Sequence, residues 1–121
     1  MQITIKYLLK RHNDWLESDG RQGLQLNTWL LSPVEYDKSK DFQGANLELA
    51  LLKGEDFTGV NLRNADLRNA DLGWVKLQEA DLRGANLEGA NLWGADFTLA
   101  KMTEEQKEYV LSNGAIINET Y

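Results

Sequence analysis

From Lys40 to Glu104 the chain repeats in fives without insertion or deletion. The middle residue of each five is Phe42, Leu47, Leu52, Phe57, Leu62, Leu67, Leu72, Leu77, Leu82, Leu87, Leu92, Phe97 and Met102, thirteen large apolar side chains in succession. Two places before each centre stands a small residue, nine Ala and two Val, with Lys40 and Glu55 as the exceptions. The place just before the centre is Asp or Asn in ten of the thirteen pentads. Two places after it come Gly44, Gly54, Gly59, Gly84, Gly89, Gly94, Asn64 and Asn69. A period of five is neither the roughly 3.6 of a helix nor the roughly 2.0 of a strand. Each pentad must therefore hold a short extended piece and a turn. In the extended piece the centre and the small residue point the same way, which puts Leu and Ala on one side and Asp or Asn on the other. The Gly or Asn place supplies the positive φ that a type II turn needs. Turning the same way at every pentad winds a coil with the Leu/Ala pairs inside.

The acidic positions predict how many pentads close one coil. Residues one coil apart stack about 4.8 Å apart, and directly opposed like charges are unfavourable. Three pentads per coil would stack Asp41 on Asp56, Asp56 on Asp71, Asp66 on Asp81 and Asp81 on Asp96. Four stack none of them. The columns become Asp41-Asn61-Asp81-Lys101, Asn46-Asp66-Asn86, Leu51-Asp71-Asn91 and Asp56-Lys76-Asp96, with Lys76 between two Asp. Glu48-Arg68-Glu88 alternates in the same register.

The pentads Ala65-Asp66-Leu67-Arg68-Asn69, Ala80-Asp81-Leu82-Arg83-Gly84, Ala85-Asn86-Leu87-Glu88-Gly89 and Ala90-Asn91-Leu92-Trp93-Gly94 resemble the pentapeptide-repeat family. The resemblance covers residues 40–104 and implies the family's right-handed quadrilateral β-helix. The expected fold is thus an all-β solenoid, with short α-helical caps at both ends.

The caps follow from the flanks. In residues 4–18, Ile5, Leu8, Leu9, His12, Trp15 and Leu16 fall on one helical face. Thr4 is the expected N-cap and Asp19-Gly20 the stop. An open solenoid end exposes apolar core and unpaired backbone, so residues 1–20 are expected to form a capping helix. Residues 21–39 form an irregular lead-in. Within it the pairs Leu24/Leu26, Trp29/Leu31 and Val34/Tyr36 suggest a degenerate coil below Leu47, Leu52 and Phe57, distorted by Trp29 and Pro33. At the other end Thr103-Glu104-Glu105-Gln106 is a capping box. It opens a short helix to about Ser112, stopped at Gly114, and residues 105–121 form the second cap and tail. Ala115-Ile116-Ile117 either folds back or pairs with another chain.

Composition narrows the chemistry. A chain of 121 residues is one domain with short flanking elements. Its net charge of −6 offers no basic stripe for nucleic acid. With no Cys and one His, thiol nucleophiles, disulfides and multi-His metal sites are excluded. The start, Met1-Gln-Ile-Thr-Ile-Lys, is neither a signal peptide nor a membrane span, so a cytoplasmic location is expected. His12 reads as a packed histidine, with no partner to complete a triad. Six of the eleven acids in residues 40–104 are the Asp of the pentad, placed there for turn hydrogen bonds. No catalytic residue, metal, cofactor or small-molecule substrate is expected.

Three groups of residues stand out. Lys40 and Glu55 break the small-residue rule on one coil and are expected as a buried ion pair, or as two groups that escape to water where the first coil splays. Arg63 and Arg83 stack on one face, where pairing with neighbouring acids is the expected fate. Trp74 and Trp93, with Leu49, Leu51 and Lys53, are expected to form an outward apolar cluster, which is either a candidate partner surface or a patch that a terminal segment covers, or whose rings merely lie flat on neighbouring turns. The function expected is a small, rigid, non-enzymatic protein–protein interaction module, its partner unidentified and conceivably a second copy of the chain. The alternative comes from the resemblance: some family members bind DNA gyrase by mimicking duplex DNA with an acidic rod. Against it, residues 40–104 make only about 3.25 coils, roughly 16 Å, where one duplex turn is about 34 Å. A dimer would be needed to reach that length.

Overall fold

The computed structural model describes residues 4–22, 25–27 and 40–118. Successive pentads close with the same turn. The amide three residues after a centre donates to that centre's carbonyl, from Ala45 to Phe42 (2.9 Å) through to Ala100 to Phe97 (3.0 Å). The residue two after the centre is left-handed, as at Gly54 (φ 76°) and Asn64 (φ 59°). That is a type II turn. Sequence alone offered Gly and Asn for this place. The structure adds Leu49 (61°), Trp74 (60°), Glu79 (63°) and Leu99 (62°), each held there against a backbone cost of roughly 1–2 kcal/mol.

The extended pieces stack as parallel bridges. Asp41 pairs with Asn61, Asn61 with Asp81, and Asp81 with Lys101, and the other columns run likewise. Every bridge from Asp41 to Ile116 joins residues twenty apart, so four pentads close one coil. This is the register that the alternating charges require. Each inner pentad is tied both ways: Phe42 N donates upward to Asn61 O (2.8 Å), and Asn61 N back to Lys40 O (2.8 Å). Inside, the centres from Phe42 to Phe97 are all buried, and Met102 is partly buried against them. The Phe42 and Phe57 rings pack together in the first coil, with centroids 5.2 Å apart.

Two helices flank the coils. α1 (Ile5–Glu17) starts at Thr4, whose hydroxyl accepts from Tyr7 N (3.1 Å). It ends as Gly20 N reaches Trp15 O (2.8 Å), with Asp19 and Gly20 both left-handed. Ile5 and Leu8 join the same buried cluster as the coil centres. α2 (Glu104–Ser112) opens with the capping box read from the sequence: Gln106 N donates to Thr103 Oγ1 (3.1 Å), and Thr103 N to Gln106 Oε1 (2.9 Å). Gln106 also donates to Leu82 O (2.6 Å), and Val110 enters the core cluster. Beyond Gly114 the chain rejoins the solenoid. Ile116 N donates to Ala95 O (2.7 Å), and Ile116 bridges Asp96. Of the two fates expected for Ala115-Ile116-Ile117, it takes the first, adding one more rung to the column of Asp56, Lys76 and Asp96.

Leu26 differs from its expected register. Leu51 N donates to Leu26 O (2.8 Å) and Asn27 bridges Leu51. Leu26, fully buried, therefore stands in register with Ala50 rather than below Leu47. The reason is the hydrogen bond from Leu26 N to His12 Nδ1 (2.9 Å), which fixes this segment to α1. The pairs Trp29/Leu31 and Val34/Tyr36, and Leu24, lie outside the described residues.

Candidate interaction face

One face of the solenoid is built from the pentads of Leu52, Leu72 and Leu92. Trp74 is 56% exposed, Trp93 63%, Leu51 46%, and Leu49, at the adjoining corner, 41%. Lys53 is exposed on the same face. These are the five residues that sequence reasoning grouped there.

The two tryptophans are held by their own coil neighbours. A Cβ on Gly94 would lie 2.6 Å from Trp74 Cδ2 and 2.7 Å from its Cζ3, so the Trp74 ring covers that glycine. Trp93 covers Gly114 in the same way, with its Cζ3 2.9 Å from the place a Cβ would take. The rings thus lie on neighbouring turns, as one of the sequence readings allows, and each covers a glycine one coil further on while leaving more than half of itself exposed. A sequence signal for it exists: a bulky or amide side chain at the turn, with Gly twenty places later, as in Asn64/Gly84, Asn69/Gly89 and Trp74/Gly94. Lys53 lays its stem beside Gly73, its Cγ 3.7 Å from where a Cβ would sit.

Charge is sorted around this face. Its own outward charges are Lys53 and Asp71, which cancel. Asp71 is turned to the backbone and to the next coil, accepting from Gly73 N (3.1 Å) and Asn91 Nδ2 (3.0 Å). On the side of Leu47, Leu67 and Leu87, the acids Glu48, Asp66 and Glu88 outnumber Arg68. On the side of Phe57, Leu77 and Phe97, the acids Asp56, Glu79 and Asp96 outnumber Lys76. A strip with exposed apolar side chains and no net charge thus runs between two acidic flanks.

The pentad Asp and Asn are spent on the fold. In every one of the ten, the side-chain Oδ1 accepts from the backbone amide two residues on, from Asp41 with Gln43 N (3.0 Å) to Asp96 with Thr98 N (2.9 Å). Two are also gripped by arginine forks: Arg68 on Asp66 (2.9 and 2.7 Å) and Arg83 on Asp81 (2.9 and 2.6 Å). Arg68 reaches Glu48 as well (3.8 Å). The Arg83 side-chain hydrogen bonds, with the Arg83 amide and the charges of Arg83 and Arg63, hold the Asp81 carboxyl down at about 2. Because this lies below the ordinary 3.8, the pairing contributes fully above pH 3.8 and is lost as pH falls toward about 2. Asp81→Ala, which removes both turn acceptor and fork, is expected to cost about 1 kcal/mol in urea unfolding. Asp81→Asn keeps the turn acceptor and is expected to cost less, while flattening the loss of stability in acid.

Lys40 and Glu55 do not form the expected buried pair. Lys40 is exposed, in a left-handed conformation (φ 49°), and its ammonium donates to Thr58 O (3.2 Å). Glu55 is half-buried, and burial, then the charge of Asp56, pushes its carboxyl up. Of the two outcomes expected, Lys40 takes the second and lies at the surface.

His12 is fully buried. Leu26 N donates to its Nδ1, so the proton sits on Nε2 and is given to Glu48 O (2.7 Å). Trp15 stacks on the ring, with centroids 5.8 Å apart. Both nitrogens are thus engaged by backbone, which leaves no lone pair for general base work. Among the described residues, no group of three or more His, Cys, Asp or Glu could hold a metal ion. No described helix is long and apolar enough to cross a membrane.

A family model described as pentapeptide repeats matches residues 41–78 and 65–104, in eight copies. Among solved structures, a pentapeptide repeat protein from the cyanobacterium Cyanothece 51142 is 28% identical with a TM-score of 0.52, over 64% of this chain and 54% of that one. A pentapeptide repeat protein from the thylakoid lumen of Arabidopsis thaliana is 32% identical with a TM-score of 0.25, over 66% of this chain and 70% of its own. One from Nostoc PCC 7120 is 27% identical with a TM-score of 0.24, over 80% of this chain and 100% of its own. The matched region spans about half the length of the Cyanothece protein. Comparison with curated proteins finds no match. The family match and the Cyanothece likeness imply a right-handed quadrilateral β-helix, in keeping with the four-pentad register.

Proposed function

The chain belongs to the pentapeptide-repeat family, and on that premise we propose that it is a small, rigid, non-enzymatic module for binding another protein. α1 and α2 serve as its end caps, and its site of action is the cytoplasm. The observation that carries this reading is the face of Trp74, Trp93, Leu51 and Leu49, with large apolar side chains 41–63% exposed on a scaffold whose backbone is locked in ladders. Apolar surface gathered on one rigid face marks a partner site, and tryptophans are the side chains on which binding energy concentrates. The scaffold's acids supply turns rather than chemistry.

DNA mimicry fits less well. Acid at the pentad positions is fixed by the turns, and the face of Trp74 and Trp93 carries no net charge. Adding the protein to a gyrase supercoiling assay is therefore expected to leave supercoiling unchanged.

The module reading is tested by immobilising the chain and its Trp74→Ser/Trp93→Ser variant and comparing the proteins each retains from host extract. Both are expected to show the same circular dichroism spectrum, with specific capture lost in the variant. Equal capture by the two would refute the reading.

A further inference from the structure

Resting on the module reading, the geometry points to one class of partner: a short amphipathic helix with an apolar ridge flanked on both sides by Lys or Arg. Three observations carry this. First, exposed apolar side chains climb this face one per coil, Leu51, then Trp74, then Trp93, each in a different column of the face. From the first to the third is two coil steps, about 10 Å, and side chains at i, i+3 or i+4, and i+7 of a helix present a ridge of about that length.

Second, the strip carries no net charge while both flanks are acidic, with Glu88 and Asp56 exposed and free of arginine forks. Complementary charge favours a partner whose own flanks are basic. It disfavours a second copy of this chain, because face-to-face packing would bring acidic flank against acidic flank and join two chains of net charge −6. Third, the backbone under the strip is spent within the solenoid: Leu72 N donates to Asn91 O (2.9 Å), Asn91 N to Ala70 O (2.9 Å), and Trp74 N to Trp93 O (2.9 Å). An added strand would find no ladder to join on this face, whereas a helix satisfies its own backbone.

The test uses the full chain and a fluorescein-labelled synthetic helical peptide with Leu at i, i+3, i+4 and i+7 and Lys on both sides of that ridge. Fluorescence anisotropy should report saturable binding that weakens as salt rises. Exchanging every Lys for Glu, or every Leu for Ser, should each weaken it by about tenfold or more, as should Trp74→Ser/Trp93→Ser in the protein. Asp56→Asn/Glu88→Gln should lower affinity a few-fold and flatten the salt dependence. Equal binding of the Leu and Ser peptides, or binding indifferent to the Trp pair, would overturn the proposal. So would sedimentation showing a dimer that the Trp variant dissolves, since the strip would then be occupied by a second copy. If the peptide fails to bind while Trp-dependent capture of a protein persists, this inference falls and the module reading stands.

Discussion

Replacing His12 by alanine is expected to cost about 3 kcal/mol, and to do so by releasing α1 from the first coil. The imidazole closes a bridge between three parts of the chain: α1 carries it, Leu26 N donates to one nitrogen, and the other donates to Glu48 O. Its removal leaves two buried backbone groups without partners, each worth roughly 1–3 kcal/mol, and opens a void under Trp15. The loss is capped at the free energy of undocking the helix, because a local opening can replace global collapse. The amide of Leu26 should therefore exchange far faster in the variant, while amides of the middle coils, such as Leu67, keep their protection. Equal exchange at Leu26 in the two proteins would contradict the bridge.

The same site makes stability pH-dependent. Burial lowers the His12 pKa from its ordinary 6.5, against the raising effects of the hydrogen bond to the Glu48 backbone and of the Glu48 charge. A second proton could go only to Nδ1, where it would face the Leu26 N–H, donor against donor. The native state therefore binds fewer protons than the unfolded chain below pH 6.5, and stability rises with pH. His12 contributes fully above 6.5 and progressively less as pH falls below it. Urea unfolding at pH 7.5 and 5.5 should show a loss of stability in acid that His12→Phe, which cannot titrate, largely abolishes.

Gly94→Ala is expected to cost about 3 kcal/mol, against about 1 kcal/mol for Gly54→Ala. Both positions are left-handed, with φ of 72° and 76°, so both carry the backbone cost of a side chain there. They differ in what a methyl group meets. At Gly54 nothing lies within 4 Å, whereas at Gly94 the Trp74 ring already occupies the place. The ring must leave its seat, which adds a cost of the kind seen when a packed site is overfilled. In a double-mutant cycle with Trp74→Ala, the extra cost at Gly94 should vanish, leaving only the backbone part. An equal cost at both glycines would mean that the ring is not seated there.

The Gly94 case shows where sequence reading stopped. The five-residue period, the buried centres and the columns of alternating charge are all local or evenly spaced features, and they yielded the coil and its register. The turn role of Gly94 was legible too, since positive φ explains a glycine by itself. What the glycine faces one coil away was not, because that depends on which way the Trp74 side chain leans. His12 is similar. Its place on the apolar side of a helix could be read, whereas its partners Leu26 and Glu48 are 14 and 36 residues away and fall on segments outside any shared repeat. Leu26 departs from its expected register for that reason: α1, through His12, decides where it sits, and no pentad rule applies there. The rule that flags Lys40 and Glu55 concerns volume alone, so it leaves a buried pair and escape to water both open, and Lys40 takes the second.

The central claim is that partners meet the face of Trp74 and Trp93 rather than another side of the solenoid. Placing the photocrosslinking residue p-benzoylphenylalanine singly at Trp93, or at Arg63 on the opposite face, and irradiating in living cells tests it most directly. The account predicts a discrete crosslinked protein from position 93 and none from position 63. Crosslinks from position 63 with none from position 93 would contradict it.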